Sequence, residues 1–235
     1  DDPFWQNSYN KALLDRAKKG KVKLFLSNVV TKELHRNYQK QIDEQLKQLN
    51  DASTTLNRKF TNSKIAIAIP NREKLIENFK SFYTELVNDE IITVIPFEND
   101  YLTEIIERAV WRKKPFTESK TELKDTVIWL SYSKYVNDNK IDNPYFLTTN
   151  VNDFCKTAGK DVKVLEVHDD LKADCDKFTV FKYTKDFISE VVEKVEAENK
   201  TRFKEIAKEK ITDEFISEIV YRSYAQEVEE EVSKH

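Results

Sequence analysis

Apolar residues recur along this chain in two rhythms, and the rhythms alternate. Asp1-Asp2-Pro3 followed by Phe4 and Trp5 reads as a helix start, an acidic cap with Pro in the first turn. That helix would turn Leu13, Leu14 and Ala17 inward and stop at Gly20. Lys23-Leu24-Phe25-Leu26-Ser27-Asn28 is a short apolar strand. Val30, Leu34, Tyr38, Ile42, Leu46 and Leu49 then recur at helical spacing, which predicts a long amphipathic helix directly after the strand. Residues 50–70 are polar, with one apolar patch at Ile65–Ile69 and a break at Pro70. Leu75, Phe79, Phe82, Tyr83 and Leu86 mark the inner side of a second helix, so about 40–88 forms a helical hairpin inserted between strands.

The second half continues the alternation. Glu90–Ile95 is an Ile- and Val-rich strand closed by Pro96. Ile105, Ile106 and Val110 mark a helix that ends near Lys113-Lys114-Pro115-Phe116. Glu122 to Val136 is helical again. Strands follow at 145–150 and at Val162–Val167, with a possible edge strand at Thr179–Tyr183. From Lys185 the chain is helical and acidic. Strands alternating with helices predict an α/β fold on a parallel sheet. The domain would occupy 1–183, and 184–235 would be a helical C-terminal extension.

Composition narrows this picture. The 235 residues are 39% hydrophobic, enough for a sizeable core, and 34% charged, which fits much exposed helix. Only 2 Gly and 5 Pro argue against an all-β sandwich and leave no glycine-rich phosphate loop. The net charge of −3 advertises no global affinity for nucleic acid, so any such surface is a local patch. Cys155 and Cys175 show neither a CxxC pair nor metal-ligand spacing with His, and read as free thiols of a reducing compartment. No apolar run is long enough to span a membrane and no signal peptide is visible, so the expected location is cytoplasmic.

Three acids stand where a parallel sheet exposes its carboxyl edge, the place where such sheets bind ligands. Glu33 lies in the first turn of the helix after a strand. Asp125 lies near the start of the 122–136 helix. Asp153 follows Tyr145-Phe146-Leu147-Thr148-Thr149-Asn150, an apolar strand ending in polar residues. Taken singly, each acid is explained by compensation of a helix dipole, and Asn150 with Asp153 by a plain helix cap. Together they suggest a carboxylate cluster, which makes sense mainly with a hard divalent cation such as Mg²⁺. Two such cations can activate a water and stabilise the leaving oxygen of a phosphodiester. Arg108, Arg112, Lys113, Lys114, Lys120 and Lys124 gather close to Asp125 in a chain that is net acidic. They form either a phosphate-contacting patch or an ordinary solvated helix face. His35 lies on another side of the helical turn that carries Glu33, and no Ser-His-Asp spacing exists.

At these residues the chain resembles the PIN-domain nucleases, in a branch with a long helical insertion after the second strand. The resemblance rests on Val29-Val30-Thr31-Lys32-Glu33-Leu34, then Pro115-Phe116 leading to Leu123-Lys124-Asp125, then Leu147-Thr148-Thr149-Asn150 with Asp153-Phe154. These occur in the family's order and span about residues 4–183. The resemblance implies a Rossmann-like three-layer fold with a central parallel sheet. It also implies metal-dependent phosphodiester hydrolysis, usually of RNA, with Mg²⁺ or Mn²⁺ as cofactor. Glu33, Asp125 and Asp153 match the family's second, third and fourth acids, and Thr149 and Asn150 the polar end of the fourth strand. Asn150 would hold the acids or a water. Arg108, Arg112, Lys120 and Lys124, with Thr149, would bind substrate.

The family's first acid ends a first strand, in an Asp-Thr-Asn sequence that these residues do not contain. The absence of Met fits a start lying upstream, with Asp1 and Asp2 as a helix cap. The resemblance also implies RNA rather than DNA as partner, and the acidic tail could meet a protein partner. Toxin, defence effector and housekeeping nuclease all fit. A non-catalytic interaction module on the same fold, its acids acting as structural caps, is the alternative.

Overall fold

The computed structural model describes residues 2–59, 68–117, 122–157, 159 and 162–210, the side chains of 207–210 excepted. The apolar patch expected at Ile65–Ile69 falls largely outside these residues, as do the tail beyond 210 and Lys120. The chain divides into two compact units, Asp1–Asp186 and Phe187–His235.

In the first unit, helix α1 spans Ser8–Lys18 and is capped by Asn7, whose side chain accepts from the Asn10 amide. The expected acidic cap therefore lies outside the helix. Asp2 accepts from the amides of Gln6 and Asn7 and from Asn10 Nδ2, so it pins the approach to α1 rather than its first turn. Strand β1, Leu24–Ser27, runs straight into α2, Asn28–Lys59. The buried Ser27 makes that junction: its Oγ accepts from the Val30 amide, and its carbonyl accepts from Thr31 Oγ1. Helix α3, Arg72–Asn88, begins at the Asn71 cap and returns along α2. It leads to β2, Ile92–Ile95.

Helices α4, Tyr101–Trp111, and α5, Leu123–Asp138, come next. Then follow β3, Tyr145–Leu147, the single turn α6, Val151–Phe154, and β4, Val164–Leu165. The unit closes with α7, Asp169–Lys172, β5, Thr179–Phe181, and α8 from Thr184. The second unit holds a π-helical turn, Ile188–Val192, and α9, Glu193–Lys210.

The fold is α/β, but the sheet is smaller and more divided than the sequence pattern predicts. Strands β1 and β2 pair in parallel. Strands β3, β5 and β4 form a separate three-stranded sheet in that order, parallel at β3–β5 and antiparallel at β4–β5. The expected edge strand at Thr179–Tyr183 is thus the middle strand. Its Val180 and Phe181 are buried, as the centre of a sheet requires. The strand expected over Val162–Val167 is a ladder only at Val164–Leu165, with a separate antiparallel bridge from Val167 to Cys155.

Packing explains how α5 comes to carry the site. Leu14, Tyr38, Phe79, Tyr83, Leu86 and Ile92 form one core between α1, α2, α3 and β2. There Tyr38 stacks on Phe79 with ring centroids 4.2 Å apart. Val127 and Leu130 of α5 join Tyr101, Ile105 and Phe116 in a second core. Trp129 joins Phe146, Phe154, Leu171 and Val180 in a third. Apolar residues on several sides of α5 leave it no freedom to rotate, and its Tyr132 hydroxyl accepts from the Ser27 amide at the end of β1 (3.0 Å). The middle of α5 is therefore tied to the carboxyl end of β1.

Candidate metal centre

Three carboxylates meet at that end of the first unit: Glu122, Asp125 and Asp153, each with an oxygen within 4.8 Å of the others. Glu122 occupies the N-cap position of α5 but makes no capping hydrogen bond. Asp125 lies one turn on, so the two acids share a side of the helix start. Asp153 comes from α6, which β3 delivers to the same place. It is only 3% exposed.

Asn150 holds the N-cap position of α6, yet its side chain does not cap the helix. It hydrogen-bonds Asp125 instead. Thr148 shapes that turn: its amide donates to the Phe181 carbonyl, and its Oγ1 accepts from the Asn150 amide (3.1 Å). Thr149 is exposed at the end of the strand. The plain-cap explanation of Asn150 therefore does not describe what its side chain does.

The electrostatics carry the mark of crowded acids. The Asp125 carboxyl is raised from 3.8 to about 6, first by burial, then by its hydrogen bond and charge repulsion with Glu122 and the charge of Asp153. The hydrogen bond from Asn150 opposes the rise. Like charges in a partly buried site repel unless a proton or a cation intervenes. The donor set is all carboxylate oxygen, which suits hard cations. Neighbouring ligand oxygens around a cation of the size of Mg²⁺ stand about 3 Å apart, so Glu122, Asp125 and Asp153 would have to draw together to hold one.

Other expected site residues are placed differently. Glu33 is not one of the three grouped acids; its carboxylate accepts from the Lys124 ammonium. That pair ties the second turn of α2 to the first turn of α5, so Glu33 lies beyond the first turn expected for it; the side-chain exposures are 32% for Glu33 and 61% for Lys124. Arg108 is 2% exposed and cannot present its guanidinium to a substrate. It donates to both Asp174 oxygens at 2.7 Å, to Glu104 and to the Lys114 carbonyl. Arginine on an amphipathic helix gives no sequence signal for such burial, because its partner Asp174 lies far along the chain.

Arg112 is exposed in a left-handed conformation (φ 52) that ends α4. Lys114 reaches across to the Asn152 carbonyl of α6 (2.7 Å). Glu122 was not anticipated as a ligand. Its signal was the Glu-x-x-Asp spacing at the mouth of α5, which places two carboxylates one turn apart.

An α/β unit that brings three carboxylates to the end of a strand and two helix starts belongs to the class of acid-edged folds suited to divalent cations. Within that class, the family model for the PIN domain matches residues 1–154, about two thirds of the chain. The chain belongs to the PIN domain family, a family of nucleases. No curated protein and no solved structure matches it.

Proposed function

We propose that this chain is a divalent-cation-dependent endonuclease acting on phosphodiester bonds, with RNA as its main substrate. The observation that carries the reading is Asp153, almost fully buried beside Asp125 and Glu122. A buried carboxylate among carboxylates is costly unless a cation offsets the charge. Glu122, Asp125 and Asp153 hold the cation, and Mg²⁺ and Mn²⁺ both suit the donors. When bound, the cation supplies positive charge for the phosphate and acidifies a water.

The protein's own groups do the positioning. Asn150 fixes the Asp125 carboxyl through its hydrogen bond. Thr149, exposed at the end of β3, contacts the substrate. Arg112 and Lys120 meet flanking phosphates. Lys124 pairs with Glu33, which would be free to hold a further cation only if that pair opened. No helix among the described residues is long and apolar enough to cross a membrane.

The test is cleavage of single-stranded RNA and DNA with Mg²⁺ or Mn²⁺, comparing the protein with Asp125→Asn. Cation-dependent cleavage that Asp125→Asn loses by at least a hundredfold is expected. Equal activity, or none in either, would leave the non-catalytic module as the better reading.

A further inference from the structure

The first four turns of α2 lead away from the acid trio, and they carry a line of cations that the chemistry of the trio does not use. Lys32, Arg36 and Lys40 stand at i, i+4 and i+8, on one stripe of the helix. Helical rise separates successive members by about 6 Å. All three are exposed. Lys32 and Arg36 have no carboxylate partner among the described residues. Lys40 has only a 3.8 Å approach to Glu44, with side-chain exposures of 75% and 59%, a pair that adds little.

The line also has a fixed end at the site. Lys124, next to Asp125 in the chain, binds Glu33 of the same α2 turn, and Arg36 lies close enough for its charge to repel that of Lys124. Farther along, the positive line stops. Asp43 and Glu44 follow, Asp43 being held by Arg72 through hydrogen bonds of 2.5 and 3.0 Å. The cations of this one stripe therefore lie in the half of the long helix that adjoins the carboxylates, while Lys47, Arg58 and Lys59 lie farther along it. Gathering like charges without a counter-charge is unfavourable, and a polyanion lying along them reverses the sign.

We infer that Lys32, Arg36 and Lys40 form a track for the phosphates of a single-stranded polynucleotide whose scissile bond lies at Glu122, Asp125 and Asp153. The inference rests on the nuclease reading above and adds to it the course of the strand outside the site. A single helical line follows one strand, and it contacts backbone without reading bases. The track thus gives affinity and direction, and no sequence preference.

The experiment is fluorescence anisotropy of a labelled 20-nucleotide single-stranded RNA, repeated with DNA, over a series of KCl concentrations with Ca²⁺ present. Three proteins are compared. They are the unaltered chain, Lys32→Ala/Arg36→Ala/Lys40→Ala, and a control of equal charge loss on α1 and its C-cap, Lys11→Ala/Lys18→Ala/Lys19→Ala. Circular dichroism checks the fold of each. The track variant is expected to bind at least tenfold more weakly at low salt, with its salt slope reduced by about 2, three single-strand phosphate contacts at about 0.7 each. The α1 control should stay within twofold of the unaltered chain.

Loss on RNA and DNA alike supports a phosphate track; loss on RNA alone overturns it, since the 2′-hydroxyl would then be what α2 reads. If the unaltered chain binds and cleaves but the track variant matches it, or the control loses as much, the track is wrong and the nuclease reading stands. If the unaltered chain neither binds nor cleaves, both fall.

Discussion

Removing the charge of Asp125 should stabilise the cation-free protein while abolishing its response to cations. The Asp125 carboxyl titrates at about 6 in the fold, against 3.8 ordinarily. The folded state therefore binds this proton more tightly than the unfolded state does. Below pH 4 both states hold the proton and no penalty exists. As pH rises from about 4 through 6 the penalty develops, and above that it is complete. At about 1.4 kcal/mol per pH unit, the rise from 3.8 to about 6 corresponds to an upper limit of about 3 kcal/mol. The group is only partly buried, so screening by solvent reduces this to about 1–2 kcal/mol.

Asn is nearly isosteric and uncharged, and its amide can donate to Glu122. Asp125→Asn should thus raise the cation-free Tm by about 2–6 °C at pH 7.5. Calorimetry with EDTA measures that difference. With Mg²⁺ or Mn²⁺ at about a hundred times its Kd, the unaltered protein should gain about 2.7 kcal/mol, and Asp125→Asn far less. A cation-free Asp125→Asn that melts at or below the unaltered protein at pH 7.5 would refute the crowded-acid account, and so would an equal cation shift in both.

Three further outcomes are expected. Cation affinity, measured by Mn²⁺ titration, should fall about tenfold per pH unit below pH 6, because the Asp125 proton must leave before the ligand forms. Asp174→Ala should cost about 2–3 kcal/mol in urea denaturation, because it leaves the buried Arg108 with Glu104 as its one carboxylate partner and strips the Trp129 Nε1 hydrogen bond of 2.7 Å. A loss below 1 kcal/mol would show that water solvates Arg108 readily. Phe79→Ala should cost about 3–5 kcal/mol by the same measurement, since Phe79 is 1% exposed and stacks on Tyr38.

The long helices were the most legible part of the fold. Val30 through Leu49 and Leu75 through Leu86 keep an apolar stripe over many turns, and α2 and α3 follow that stripe. Short strands were less legible. A run such as Val162–Val167 carries β propensity, but it is broken into a two-residue strand at Val164–Leu165 and a lone bridge at Val167, and pairing depends on partners elsewhere in the chain. The middle position of Thr179–Phe181 was invisible for the same reason.

At the candidate site, the meeting of Asp125 with Asp153 was readable because a strand end and a helix start each announce themselves in sequence. Glu122 was hidden by looking like an ordinary first-turn acid. Arg108 misled because its burial depends on Asp174, sixty-six residues away, and Trp129. The hold of Lys124 on Glu33 could not be read either, since it joins two helices ninety-one residues apart.

The measurement that tests the central claim most directly is Mn²⁺ binding and RNA cleavage by Glu122→Gln, compared side by side with the unaltered protein. Gln keeps the length and the surface position of Glu122 but removes its charge. The account predicts an unchanged circular dichroism spectrum, Mn²⁺ affinity reduced at least tenfold and cleavage reduced at least a hundredfold. A Glu122→Gln protein that binds Mn²⁺ and cleaves RNA as the unaltered chain does would contradict it.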